Sequence, residues 1–233
     1  MAARGIIIIL FLSLIITAIC VDEKWTSFIF AQRWPPSTCH YIRCERHRIP
    51  PQVTSWTVHG LWPDVGNNCN DSWRFSWDKI KSLEKQLEAS WPDLKYNGRS
   101  LWQHEWRRHG TCATTLKATN NEFRYFHKVL RLNRLDAFNP QMALEKAGIT
   151  PSCKKSYPTE DIKHAVQQYF QTNLIMTCTT QRYPETNRTL LMSIYLALSK
   201  TFTVTTLHYS NIHQCKPGDK VYIFPVHDIY CSK

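Results

Sequence analysis

Eight cysteines in a chain bound for export constrain this fold more than any other feature of the sequence. The first residues supply the context. Arg4 precedes an apolar run, Gly5–Ile19, that ends near Ala18 and Cys20, the pattern of a secretory signal peptide cleaved after Cys20. The run is short for a membrane-spanning helix, so no stable membrane insertion is expected. Of the nine cysteines, Cys20 leaves with the leader; Cys39, Cys44, Cys69, Cys112, Cys153, Cys178, Cys215 and Cys231 remain. An even number in an oxidising compartment implies four disulfides. Eight cysteines allow about 105 pairings, and spacing chooses none of them. Zinc is the other common use of cysteine, but the chain has no C-x2-C pair. Residues 1–20 are therefore read as signal peptide and residues 21–233 as one domain, whose 213 residues suffice for a real core.

Residue patterning gives the fold class. Trp25–Trp34 alternates Ser27, Ile29 and Ala31 against Phe28, Phe30 and Gln32, and predicts a strand. Pro35, Pro36, Pro50 and Pro51 predict an irregular stretch around the close pair Cys39 and Cys44. Val53–Val58 predicts a second strand that delivers His59 at its end, before a tight turn through Gly60-Leu61-Trp62-Pro63. Helices follow. Ser76 caps one whose stripe is Ile80, Leu83 and Leu87, running to about Ala89 and ended by Trp91-Pro92. Leu101–His109 is a short helix stopped by Gly110. Asn121 caps Glu122–Phe138, with Phe123, Phe126, Leu130 and Phe138 as core candidates and Arg124, Lys128 and Arg131 as a solvated basic stripe. Pro140 opens a helix to Ala147, stopped by Gly148, and Thr159 caps Glu160–Phe170. Strands return at Leu174–Cys178, Thr189–Leu198, Phe202–Leu207 and Lys220–Pro225. Strands at both ends with helices between them predict an α+β domain, its helices packed against a mainly antiparallel sheet.

Chemistry concentrates in Leu101–Cys112, LWQHEWRRHGTC. At helical spacing His104, Glu105, Arg108 and His109 span an arc of about 140°, so all four can look into one cleft while Trp102 and Trp106 lie beyond it. The net charge of +11, or +10 once Arg4 is gone, attracts polyanions such as nucleic acid or acidic glycans without ranking them. Cleaving RNA without a metal needs one group to take the proton of the ribose 2′-hydroxyl and another to protonate the leaving 5′-oxygen. It also needs a fixed cation beside the phosphorane. Histidine serves both proton roles near neutral pH. His59, His104, His109, Arg108 and Glu105 supply the parts. A zinc-protease reading of HEWRRH fails on spacing, because H-E-x-x-H needs histidines four apart and His104 and His109 are five apart.

Two segments carry a resemblance to the ribonuclease T2 family. Trp56–Pro63, WTVHGLWP, is similar to the family's first active-site segment, and His104–Cys112, HEWRRHGTC, to its second. The early QRWP at Gln32–Pro35, GITPS at Gly148–Ser152 and the stretch from Cys215 to Pro225 extend the likeness over nearly the whole mature chain. The resemblance implies an RNA endonuclease that works by transphosphorylation through a 2′,3′-cyclic phosphate, with RNA as its partner and no metal or other cofactor. It makes His109 the general base and His59 the general acid. His104 becomes a phosphate contact, Glu105 and Arg108 the support of the charged transition state, and Trp62 a wall of a base site. Arg108 departs from the family's usual lysine. Among the cysteines the resemblance pairs Cys39 with Cys44, Cys69 with Cys112 and Cys178 with Cys215, which leaves Cys153 and Cys231.

Two glycosylation acceptors, Asn70-Asp71-Ser72 and Asn187-Arg188-Thr189, pass the proline check. Basic charge, two sequons and an isoleucine-rich leader resemble the secreted ribonucleases of parasitic flatworms. That likeness implies N-glycans that engage host lectin receptors, uptake by target cells, and immunomodulation through RNA cleavage. The rival expectation is a catalytically weak secreted effector that acts through glycans and its basic surface. A monomer is expected in either case.

Overall fold

The computed structural model describes residues 25–44, 49–96, 98–181, 187–207 and 213–231, so the expected leader at residues 1–20 lies outside the described residues. Strand β1 (Ser27–Arg33) is followed by helix α1 (Pro35–Ile42) and strand β2 (Thr57–Pro63). A helical stretch comes next: α2 (Trp77–Ile80), α3 (Glu84–Ser90), α4 (Ser100–Arg108), α5 (Glu122–Asn133) and α6 (Pro140–Lys146). The chain then runs through β3 (Ser156–Pro158), α7 (Thr159–Phe170), β4 (Ile175–Thr180), β5 (Thr189–Ser199), β6 (Val204–Thr205) and β7 (Lys220–Tyr222). The α+β architecture expected from the pattern is the one observed.

The seven strands of the described residues join one sheet, with path β2-β1-β5-β7-β3. Its pairs are antiparallel except β5 with β7. The long apolar run TLLMSIYLALS makes β5 the central strand: β1 and β7 share one edge, β4 and β6 the other. Alternation then sorts the faces. Phe28, Phe30, Val58, Leu61, Ile194, Leu196 and Leu198 enter the main core with Tyr125, Phe126, Val129 and Leu130 of α5. Ile29, Ala31, Ile175 and Tyr195 form a smaller cluster on the opposite face, with Trp62 packed against it. That second face carries the site.

Several expectations need correction. The proline-rich stretch after β1 is helical at its start, because Pro35 and Pro36 occupy the first turn, where no backbone N–H is needed. The second strand begins at Thr57 and continues through His59 to Pro63. Leu61 is buried and the strand pairs with β1 as far as Pro63, so there is no tight turn at Gly60. Ser76 caps through its backbone only, and a 3-10 turn at Lys81–Leu83 interrupts the helix, although Ile80, Leu83 and Leu87 are buried as read. The Asn121 side chain caps α5 by accepting from the Arg124 N–H. That helix stops at Asn133, ahead of a 3-10 turn at Asp136–Phe138, and Phe123 is 39% exposed while Tyr125 and Val129 fill the core. Thr159 opens α7, but its hydroxyl donates to the Asp219 carbonyl. Gly148 ends α6 with φ of 69°.

Four disulfides close the described fold: Cys39–Cys44, Cys69–Cys112, Cys153–Cys231 and Cys178–Cys215. The three pairs implied by the family resemblance are present, and so is the fourth that they leave, Cys153–Cys231.

Candidate active site

His59 owes its place to an irregularity in β2. Along the β1–β2 ladder Ala31 pairs with Gly60 and Gln32 with Val58, so His59 is the extra residue of a β-bulge. A bulge places two consecutive side chains on one face, and sheets use it to re-aim a residue. Val58 and Leu61 therefore stay in the main core while His59, Gly60 and Trp62 turn toward the second face. The bulged backbone is held from outside the ladder: Trp91 Nε1 donates to the His59 carbonyl at 2.9 Å, and the Tyr125 hydroxyl to that of Leu61 at 2.8 Å.

Helix α4 divides lengthwise. Trp102, Glu105 and Trp106 are buried, whereas Ser100, Gln103, His104, Arg107 and Arg108 lie on the outer side. Trp102 Nε1 donates to the Trp91 carbonyl at 2.8 Å, so Trp91 bonds to α4 and β2 at once. His109 follows the last helical residue with φ −123° and ψ −42°. The stop is not a left-handed glycine. Gly110 begins a 3-10 turn, and a Cβ there would strike the Trp106 ring. Leaving the helix lets His109 swing toward Trp62. The Cys69–Cys112 bond and the Asn68 N–H to the Arg108 carbonyl, at 2.9 Å, fasten that end to the loop after β2.

The structure brings His59, Trp62, Glu105 and His109 together. Trp62 meets His59 edge to face, with ring centroids 5.0 Å apart, and stacks on His109 at 5.1 Å and 30°. Its Nε1 donates to Glu105 Oε2 at 2.8 Å. Trp62 thus stands between the two imidazoles, which is more than the wall of a base site foreseen for it. A Cβ on Gly60 would fall on the Trp62 indole and the Glu105 carboxyl, so only glycine leaves room for that bond. His104 is exposed, with its ring centroid 6.5 Å from that of His109, and Arg108 is exposed beside them.

Arg33 is the residue that sequence reasoning missed. It continues the Ile29, Ala31 face of β1 and is 7% exposed; one Nη donates to the Pro92 carbonyl at 2.8 Å while Nε has no partner among the described residues. An arginine in phase with the small residues of a buried strand was the available signal.

Burial and positive charge set the protonation states. His59 is pushed down to about 3 by burial, then by Arg33, His109 and His104. His109 is pushed to about 3 by burial, Arg108 and His104. Its Nδ1 is buried without a partner among the described residues. Glu105, 1% exposed, is pushed up to about 8 by burial, against the Trp62 hydrogen bond and the charges of Arg33 and Arg108. The free site thus holds two neutral imidazoles and a carboxyl that keeps its proton to neutrality, under a positive field.

His104, Glu105 and His109 could also present three metal-ligand atoms within 4.8 Å of one another. The spacing argument against this cluster does not hold, because His109 lies beyond the helix end. Chemistry argues against it instead: burial outweighs the pull of Arg33 and Arg108 and keeps the Glu105 carboxyl uncharged, and the same two guanidinium charges repel a cation. The other cluster, Cys153, Asp228 and Cys231, is closed to metal by the disulfide.

The chain is similar to known ribonucleases. Ribonuclease Oy of Magallana gigas is 33% identical over 217 residues, covering 88% of this chain and 99% of that protein. Ribonuclease T2 of Sus scrofa is 34% identical over 204 residues, covering 86% and 98%. The crystal structure of human RNase T2 matches with a TM-score of 0.72 and 32% identity over 86% of this chain and 99% of that one. With the family's sequence profile, described as Ribonuclease T2 family, matching residues 25–215, the chain belongs to the ribonuclease T2 family.

Proposed function

We propose that this endoribonuclease cleaves single-stranded RNA with His109 as general base and His59 as general acid. His109 removes the 2′-hydroxyl proton, and O2′ attacks phosphorus. The P–O5′ bond breaks, and His59 protonates the departing oxygen. The products are a 2′,3′-cyclic phosphate and a 5′-hydroxyl; in hydrolysis of the cyclic ester the two histidines exchange roles. Arg108 and His104 meet the phosphoryl oxygens. Glu105, protonated at neutral pH, donates a hydrogen bond to the phosphorane rather than opposing it with a second negative charge. Trp62 keeps the histidines apart and offers its remaining edge to a base. The observation that carries this reading is the Trp62 ring between His59 and His109 with its N–H on Glu105.

The test is an RNA digest with and without a chelator. Activity should survive the chelator and vanish in folded His59→Phe and His109→Phe variants. A folded wild type inert on several RNAs from pH 4 to 8 would overturn the reading, and loss of activity in chelator would move it to the His104–Glu105–His109 cluster.

Residues 1–20 act, in this reading, as a signal peptide, and residues 21–233 as a secreted monomeric domain glycosylated at Asn70 and Asn187. Asn187 is exposed, and Asn70 sits in a turn where its Oδ1 accepts from the Ser72 N–H at 2.9 Å. The chain further resembles the schistosome egg glycoprotein omega-1, which suggests an effector whose glycans meet host receptors and carry RNA cleavage into target cells. If so, deglycosylation abolishes uptake while leaving RNA cleavage in solution intact, and uptake equal with and without glycans rejects it.

A further inference from the structure

We propose that the outer face of α4 carries a second phosphate site, which takes the phosphodiester next to the scissile one in an RNA longer than two nucleotides; this rests on the ribonuclease reading above. Ser100, Gln103, His104, Arg107 and Arg108 follow the spacing i, i+3, i+4, i+7, i+8 and so share one side of the helix. With Asn68 they line a pocket of about 280 Å³. Asn68, Gln103, His104, Arg107 and Arg108 can donate hydrogen bonds into it, while the Ser100 hydroxyl already donates to Asp93 Oδ2 at 2.6 Å; none of the lining side chains is a carboxylate. The ion pairs of the described residues lie elsewhere, at Lys79–Glu122, Lys81–Asp78 and Arg99–Glu84, so neither Arg107 nor Arg108 is neutralised by a neighbouring acid.

Position gives the pocket its meaning. His104 and Arg108 border both this pocket and the cleavage site, so a chain bound at one passes directly to the other. Arg107 belongs to the pocket alone. Its charge reaches His104, whose pKa is lowered by burial and then by Arg108 and Arg107. The C-terminal end of a helix is slightly negative and disfavours an anion, worth about half a charge. Two guanidinium groups exceed that, and the Asn68 N–H already occupies the Arg108 carbonyl. A guanidinium matches a phosphate with two parallel hydrogen bonds, whereas arginines that serve only solubility need no shared pocket with amide donors.

The experiment compares wild type, Arg107→Ala and Arg107→Lys on a pentanucleotide and on the dinucleoside monophosphate that spans its cleaved bond. Arg107→Ala should lower kcat/KM on the pentanucleotide about five- to tenfold, mostly through KM, and leave the dinucleotide within about twofold. Arg107→Lys should recover part of the loss. The log–log salt dependence on the pentanucleotide should become shallower by about 0.7, one single-strand phosphate contact. Equal losses on both substrates, or no loss on the pentanucleotide, overturn the second site. A wild type inert on both overturns the ribonuclease reading itself, and this site with it. Unchanged thermal midpoints show that the exposed substitutions leave the fold intact.

Discussion

His59 and His109 titrate in a field that a bound phosphate reverses. In the free protein burial and the nearby cations hold both near 3. A phosphodiester beside them adds negative charge and favours the imidazolium. Binding a 3′-mononucleotide should therefore raise both pKa values toward the ordinary 6.5, followed through the imidazole proton resonances; values that stay put on saturation would remove His59 as a proton donor. The same depression makes a stability statement. Between about 6.5 and 3 the unfolded chain binds protons that the folded imidazoles refuse, so stability is full above 6.5 and is lost as pH falls through that window. Glu105 works the other way: its contribution is full below the ordinary 4.5 and lost as pH rises toward about 8. Urea midpoints should peak in mildly acidic solution, and His59→Phe with His109→Phe should flatten the acid side. Gly60 gives a sharper residue test. Gly60→Ala puts a methyl group onto Trp62 and Glu105, which should cost about 1–3 kcal/mol of stability by overpacking. By displacing Trp62 from the histidines it should also cut kcat about 100-fold. Full activity in Gly60→Ala would mean the Trp62–Glu105 bond does not matter to the reaction.

At the scale of elements, the site is a junction of β2 and α4, and two ties hold it. Trp91 bonds to both segments through its indole N–H and its carbonyl. Cys69–Cys112 crosslinks the loop after β2 to the turn after α4 across 43 residues. Closing a loop of that length stabilises by about 4 kcal/mol in the chain-entropy account. Cys69→Ala with Cys112→Ala should lower the unfolding free energy by that amount and reduce activity further than stability alone explains, measured below the new thermal midpoint. Activity proportional to the folded fraction would show that α4 keeps its place without the bond. The helices and strands themselves were largely legible, because Ile80, Leu83 and Leu87, or the unbroken run in β5, follow the period of their element. The β2 segment was not. A bulge breaks the two-residue period at His59, so the strand looked finished one residue before its functional part began. His109 escaped in a similar way: helical spacing placed it about 140° round the helix from His104, yet it lies outside the helix. The structure brings both catalytic candidates against Trp62, and their local geometry was misread, since each occupies a point where regular structure is interrupted.

The whole molecule carries a net charge of +11, and that number overstates its hold on RNA. Many cations are already engaged. Arg99 lies 3.5 Å over the Trp77 ring, Lys128 4.3 Å over Phe202, Lys200 4.3 Å over Trp25 and Arg188 4.9 Å over Tyr222. A cation held against an aromatic face covers apolar surface as well as carrying charge. If RNA is held chiefly where it is cut, the salt dependence should count local contacts only. Arg107 and Arg108 together give a slope of log kcat/KM against log salt of about −1.4, at roughly 0.7 per single-strand phosphate. Each alanine variant should remove about half of it. A polyanion-binding effector predicts the opposite: many dispersed contacts, a slope steeper than about −4, and indifference to either arginine. Heparin separates the two readings further. A site-centred enzyme is inhibited competitively, with an inhibition constant that weakens in Arg107→Ala. On an enzyme whose basic surface binds polyanions all over, heparin binds as tightly to that variant as to wild type. The steep slope and the unchanged heparin affinity, found together, would shift the protein's principal interaction from the cleft between β2 and α4 to its surface as a whole.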